Sequence, residues 1–305
     1  MTIGEILVEI MAKGIDQKFS QTGEFIGPYP SGAPAIFIDQ AAKIGSDTGI
    51  ISKIGNDDFG LMNLNRLEKD GVNVKSISIT NEGSTGVAFV TYKNNGDRDF
   101  IFHLKDSASG LISVDDVREE YFDDCNYFHV MGSSLFNENI RLAIKKGIEI
   151  CKKKGKQISF DPNIRKEILK DEVIKEFIYY VLDQSNIFLP GIDELELLSE
   201  TNDEGKSVKN LLEKGIDYIV VKKGSKGCSA YSRETSFVVE PLKVREVDPT
   251  GAGDCFAGTF ISCMNKGFGF RKSVMYANTA GALAVTKKGP MEGNTTLEQL
   301  KEFVK

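Results

Sequence analysis

The sequence predicts a doubly wound α/β fold, a mostly parallel sheet flanked by helices, with a small β-sheet projecting from it as a lid. Three observations carry this reading. Runs rich in β-branched residues alternate with amphipathic stretches along most of the chain, the pattern of parallel strands covered by helices. With 305 residues, 41% hydrophobic and 27% charged, the chain is long enough and apolar enough to bury one large core. Two segments, Lys13–Tyr29 and Ser84–His103, break the alternation: they are strand-like, polar at alternate positions, and no convincing helix separates the strands within them.

Each element follows in order. Thr2–Ile10 reads as the first strand, since Glu5 and Glu9 and the missing basic leader do not fit a signal peptide. Ala33–Ile44 reads as a helix, Gly49–Ile54 as a strand and Phe59–Lys69 as a helix that ends before Gly71. Between these last two, Asn56-Asp57 caps a helix and Phe59 packs inward. Val87, Phe89, Thr91, Phe100 and Phe102 mark the projecting sheet, which takes in about residues 11–29 and 84–105. Strands follow at Asn126–Met131, Gln157–Phe160, Ile187–Leu189 and Tyr218–Val221, with helices at Glu138–Lys153, Glu172–Asp183 and Val208–Glu213. Helices at Asp254–Met264, Arg271–Thr286 and Leu297–Val304 close the chain. No low-complexity linker divides residues 1–305, which read as a single domain.

Composition excludes several roles. A net charge of −6 and a pI near 5.3 do not suit a surface that neutralises nucleic acid, and no apolar run is long enough to span a bilayer. The expectation is a cytoplasmic protein that binds neither nucleic acid nor membrane. Five cysteines with no Cys-x-x-Cys pair read as reduced and structural. Neither histidine has a ligand-spaced partner for zinc, and His129 lies in an apolar run as a core residue.

Chemistry concentrates in Glu246–Phe260. A proline-containing extended entry leads into the glycine turn Gly251-Ala252-Gly253, and the turn opens an apolar helix at Asp254. The first N–H groups of a helix have no internal partner and carry partial positive charge, so this turn can hold an anion. An acid beside such a site makes sense as a base that takes the proton of a nucleophile attacking a bound phosphate. The same residues could also be a tight turn with an acid complementing the helix dipole. Two competing motifs fail: a dinucleotide fingerprint needs glycine where Phe256 stands, and a Walker A loop through Gly205-Lys206-Ser207 needs glycine where Glu200 stands.

The run Asp248-Pro-Thr-Gly-Ala-Gly-Asp254 closely resembles the C-terminal signature of the ribokinase-like (PfkB) carbohydrate and nucleoside kinases, and the resemblance extends over nearly the whole chain. It implies an ATP- and Mg²⁺-dependent kinase in which Asp254 is the catalytic base, Gly251, Ala252 and Gly253 form the anion hole, and the projecting sheet covers the sugar and can form a homodimer. Asp161-Pro-Asn-Ile-Arg165 resembles the Asp-Pro-Asn-x-Arg run of fructokinases and ketodeoxygluconate kinases, which implies that Arg165 meets the transferring phosphoryl group. Ser31, Gly32 and Ala33 resemble the glycine-rich segment that lets a sugar approach the backbone. Glu9 stands where relatives place an acid on sugar hydroxyls, and His103 and Lys105 lie at the lid edge. On the nucleotide side, Lys222, Gly224, Ser225 and Gly227 form a post-strand turn, Thr250 belongs to the signature, and Asn278 matches an asparagine near the adenine. Cys228–Tyr231 could equally make that turn a plain hairpin. Glu194 matches an acid that helps to order Mg²⁺.

Three positions depart from the pattern: Ser31 replaces a glycine, Ile36 replaces a sugar-binding asparagine and Gly191 replaces the asparagine three residues before Glu194. Leu104 stands where acid-sugar kinases carry an arginine, which favours a neutral ketohexose such as fructose or tagatose; Lys105 or Arg98 would serve a ketodeoxygluconate instead. A nucleoside kinase and a non-catalytic sugar- or nucleotide-binding regulator are the other readings.

Overall fold

Apolar side chains on both faces of the central strands let helices pack on either side. The computed structural model describes residues 1–164, 171–199 and 201–304. The chain opens with β1 (Thr2–Ile3), β2 (Leu7–Ile15), β3 (Phe25–Ser31), α1 (Ala33–Lys43), β4 (Ile50–Gly55) and α2 (Asp58–Lys69). Then come β5 (Ile77–Thr80), β6 (Gly86–Tyr92), β7 (Arg98–His103), β8 (Tyr127–Met131), α3 (Glu138–Lys153), β9 (Gln157–Asp161) and α4 (Glu172–Gln184). The last part holds β10 (Ile187–Phe188), α5 (Ile192–Ser199), α6 (Glu204–Glu213), β11 (Tyr218–Lys222), β12 (Cys228–Ser232) and β13 (Ser236–Val239). Three helices end it: α7 (Ala252–Asn265), α8 (Phe270–Ala284) and α9 (Leu297–Lys301).

Among the described residues, nine strands form the central sheet in the order β13-β12-β11-β10-β9-β8-β1-β4-β5, parallel except where β12 runs against both its neighbours. The order reverses at β1, which lies between β8 and β4, so the strands open on the kind of crevice where α/β sheets bind ligands. One core lies on the α3 and α4 side, around Phe128, Phe160 and Phe188; a second packs α1, α7 and α8 against the other face, around Phe37, Phe256 and Phe260.

The expected first strand, Thr2–Ile10, is two strands in two sheets. β1 joins the central sheet, whereas β2 pairs with β3 and β6 in a separate four-stranded sheet of order β3-β2-β6-β7. Gly4 marks the break, because a side chain there would clash with Ser134 Oγ. Both backbone groups of Ile6 meet Ser109 Oγ at 3.2 Å instead of joining a ladder. The unbroken apolar run hid this step, since Ile3, Ile6, Leu7 and Val8 are all buried. The lid therefore begins at Leu7, earlier than residue 11.

Asp57 caps α2, accepting from Gly60 N at 2.8 Å, and its carboxylate also accepts from Thr85 N at 2.7 Å and Thr85 Oγ1 at 2.8 Å. These bonds outweigh the cost of partial burial and hold the carboxyl below its ordinary pKa. One side chain thus ties the base of the lid strand β6 to the central layer. Asp57→Ala is expected to cost ~1–2 kcal/mol; a loss under ~0.5 kcal/mol in chemical denaturation would show that water replaces the clamp.

His129 is the buried core residue expected. Its Nδ1 meets Ser159 Oγ at 2.8 Å and its ring stacks on Phe37, with centroids 3.9 Å apart. Burial, followed by the charge of Lys222, pushes its pKa well down and keeps the ring neutral. The cysteines of the described chain are free and buried.

Candidate active site

Gly251 takes φ 79° as the residue before α7, a conformation that favours glycine, and a side chain there would clash with the Pro290 carbonyl. Asp248 holds the turn from beneath, its Oδ1 accepting from Thr250 N at 3.1 Å and Thr250 Oγ1 at 2.8 Å. Its Oδ2 accepts from Gly289 N at 3.1 Å and Tyr92 OH at 3.2 Å. From the lid, Arg98 Nη1 donates to Thr250 Oγ1 at 2.8 Å. Two lid residues therefore touch the turn at the head of α7.

A cavity of about 520 Å³ opens in front of this turn, at the carboxyl ends of β9, β10 and β11. Gly251, Ala252, Gly253 and Asp254 line it, with Asp161, Asn163, Gly191, Glu194, Lys222, Lys223, Gly224 and Arg98. Asp254, 7% exposed, has its carboxyl pushed well up, first by burial and then by the charge of Asp161. Asn163 sits at φ 41° and donates its amide to Asp254 Oδ1 at 3.3 Å. Asp161, 1% exposed, bonds Lys222 Nζ through Oδ2.

Glu194 spends its carboxylate on the backbone, accepting from Ile164 N at 2.7 Å and Gly191 N at 2.6 Å. It staples the loop after β9 to the loop after β10. Burial and then the charge of Asp161 raise its pKa, and burial raises that of Asp161 against the pull of Lys222. Asp161, Glu194 and Asp254 thus line one cavity with Asp193, beside Lys222 and Lys223. Such hard oxygen donors, partly engaged with the protein, fit a hydrated Mg²⁺ bound through a few carboxylates.

Other expected residues lie elsewhere. Glu9 is 6% exposed on β2 and accepts from Ser31 Oγ at 2.8 Å, so these two meet where the lid joins the core. Gly32 sits at φ 109°, and a side chain there would clash with the Glu5 carbonyl, so its smallness serves the packing of the chain itself. Ala33 starts α1, and Ile36 is buried with Cγ2 3.3 Å from where a Cβ on Gly251 would stand, a packing residue beneath the turn. His103 and Lys105 are exposed at the end of β7. Residues 224–226 make one tight turn and β12 returns antiparallel to β11, so the segment is a hairpin; Ser225 is exposed, and a side chain at Gly227 would clash with Val239 O. Asn278 donates to Glu240 O at 2.9 Å and does not line the cavity. Arg165 lies outside the described residues.

Sequence reasoning missed Asp161 and Asn163 as site residues, although both stand in the run quoted for Arg165 and directly follow a strand. It also passed over Glu5, which does not line the cavity but whose charge adds to the rise at Asp254; its buried carboxyl accepts from Ser133 Oγ at 2.8 Å and Ser134 Oγ at 2.5 Å and is pushed up by burial. A charged residue inside an apolar run was the available signal.

Residues 1–297 match the family described as pfkB family carbohydrate kinase. Fructokinase-1 of Oryza sativa subsp. japonica is 30% identical over 99% of this chain and 96% of its own. A crystal structure of an E. coli protein provisionally named Ribokinase II, in complex with ATP and Mg²⁺, is 49% identical with a TM-score of 0.95, over 99% of this chain and 97% of that one. The fructokinase of Vibrio cholerae O395, with fructose, ADP and calcium ion bound, is 25% identical with a TM-score of 0.87, over 99% of this chain and 97% of that one.

Proposed function

Because the chain belongs to the pfkB family of carbohydrate kinases, we propose that it transfers the γ-phosphoryl group of ATP to a hydroxyl of a ketohexose, fructose before tagatose. The observation that carries this reading is Asp254, buried at the head of α7 directly after the Gly251–Gly253 turn, with the turn and the acid lining one cavity. Fructose and ATP enter from the relatives: a fructokinase at 30% identity, a neighbour with ATP and Mg²⁺, and another with fructose and ADP. Asp254 takes the proton of the attacking hydroxyl as its oxygen bonds the γ-phosphorus. The bond from that phosphorus to the bridging oxygen breaks, its electron pair leaves with ADP, and the proton passes from Asp254 to water. The α7 N–H groups stabilise the charge spread over the transferring oxygens. Asp161 and Glu194 would hold Mg²⁺, largely through water, and the ion would supply positive charge to the nucleotide phosphates. Arg98 brings a guanidinium into the same cavity from the lid.

On the sugar side, Glu9 and Ser31 accept or donate to hydroxyls where the lid joins the core. Coupled ADP release should be measured across ketoses, 2-keto-3-deoxygluconate and nucleosides. Fructose or tagatose should give the highest kcat/KM; a preference for the acid sugar or a nucleoside would overturn the substrate, and no turnover would favour a binding regulator. The lid also leaves Ile15 and Ile101 exposed, at 63% and 42%, which supports a homodimer through this sheet, to be read by sedimentation of the intact protein. Among the described residues no helix is long and apolar enough to cross a membrane, and the proposed setting is the cytoplasm.

A further inference from the structure

Lys222 ends β11 with its backbone fixed: its N–H donates to Pro190 O at 2.8 Å, and it bridges to Gly191 as a parallel partner. Its side chain, 17% exposed, turns toward α7. Nζ bonds Asp161 and lies 3.4 Å from where a Cβ on Gly253 would stand, so the ammonium sits beside the first turn of α7 in the same cavity. A cation and a helix N-terminus facing one space select the same ligand, an anion with several oxygens.

The neighbouring groups are otherwise engaged. Lys223 also lines the cavity but gives its Nζ to Glu204 Oε2 and Ser229 Oγ, both at 2.7 Å. Glu194 is held by two backbone N–H groups and Gly191 has no side chain to offer, whereas Arg98 reaches the cavity from the opposite side, with one of its donors on Thr250. The bond to Asp161 uses one of the three donors of Lys222. A buried Lys–Asp pair is a poor source of stability by itself, because desolvation offsets most of the attraction.

We propose that Lys222 is a catalytic residue that binds the γ-phosphoryl oxygens of ATP and stays on them during transfer, with Asp161 as the positioning residue that holds its ammonium at the head of α7. The proposal rests on the kinase reading above and deepens it. Lys222 keeps its proton throughout; the bonds that form and break are those already given, and its part is to offset charge on the transferring oxygens. It is a cation built into the protein that works alongside Mg²⁺.

The test compares binding of the non-hydrolysable β,γ-imido analogue of ATP with binding of ADP, by calorimetry with Mg²⁺, in the full-length protein and in K222M, K222R and D161N. K222M should lose ~10–100-fold in affinity for the ATP analogue and under ~3-fold for ADP, with kcat on the best sugar down ~10²-fold. K222R should recover part of the ATP preference, and D161N should lower the ratio of ATP-analogue affinity to ADP affinity, whatever it does to each alone. A K222M protein that keeps the wild-type ratio of the two affinities would reduce the pair to a structural one and overturn the proposal, whatever happens to its melting temperature. If K222M does not fold, D161N decides on the same ratio. Should the wild type phosphorylate none of the sugars, the kinase reading fails in the turnover assay, while the affinity ratio still decides the role of Lys222.

Discussion

Asp254→Asn should lower kcat by ~10²–10⁴ and leave the protein folded. The amide keeps the shape of the side chain and its place beside Asn163 but cannot take a proton. Folding should not suffer, for a reason visible in the electrostatics. Burial and Asp161 raise the Asp254 pKa well above 3.8, so the folded state holds this proton more tightly than the unfolded chain does. Ionising Asp254 therefore costs stability as pH rises, and the neutral amide removes that cost. The same shift sets a pH profile: a base works only when ionised, so activity is present above the raised pKa and lost as pH falls through it. The acid limb of kcat/KM should lie above the ordinary carboxylate range and be missing from the residual activity of the variant. Near-normal turnover by the variant would sink the assignment of the base.

Arg66→Ala should cost ~3–5 kcal/mol, although Arg66 lies outside the cavity. On α2 it bonds Asp70 at 2.7 Å, Glu292 at 3.0 Å and the Met291 carbonyl at 2.7 Å, and it lies 3.9 Å from Asp39, which is fully buried. Asp39 accepts from Asn294, which in turn accepts from the Cys255 thiol at 2.8 Å, the residue after Asp254. Burial pushes the Asp39 carboxyl up to about 7 even against the pull of Arg66. Without Arg66 that pKa rises further and the folded state binds this proton more tightly. The deficit of the variant should therefore grow as pH rises from 6 to 8, which chemical denaturation at the two values would measure. Because Pro290 O backs Gly251, kcat should fall as well. A loss under ~1 kcal/mol at both pH values would show that Arg66 is only a surface ion pair.

The alternation of strands and helices was legible because burial on both faces writes itself into composition. The turn before α7 was legible because it needs glycine at fixed places. What stayed hidden depends on three dimensions. The apolar run through Ile6 shows the same pattern whether it continues one strand or crosses between sheets. Asp161 and Lys222 are 61 residues apart and meet only because β9 and β11 end on the same side of the sheet. The Arg66 cluster draws on α1, α2, α7 and the segment near Asn294, with no short spacing to betray it. Ile36, read as a lost sugar ligand, is a packing residue under the turn, which a single position in a sequence cannot reveal.

The contacts of Tyr92 with Asp248 and of Arg98 with Thr250 join the lid to the turn that begins α7. Any ligand that settles that turn also favours the lid position in which those two contacts exist, and a ligand held beneath the lid favours the turn. The two substrates are then linked by a single coupling free energy. Whatever factor the sugar lends to nucleotide affinity, the nucleotide must return to sugar affinity.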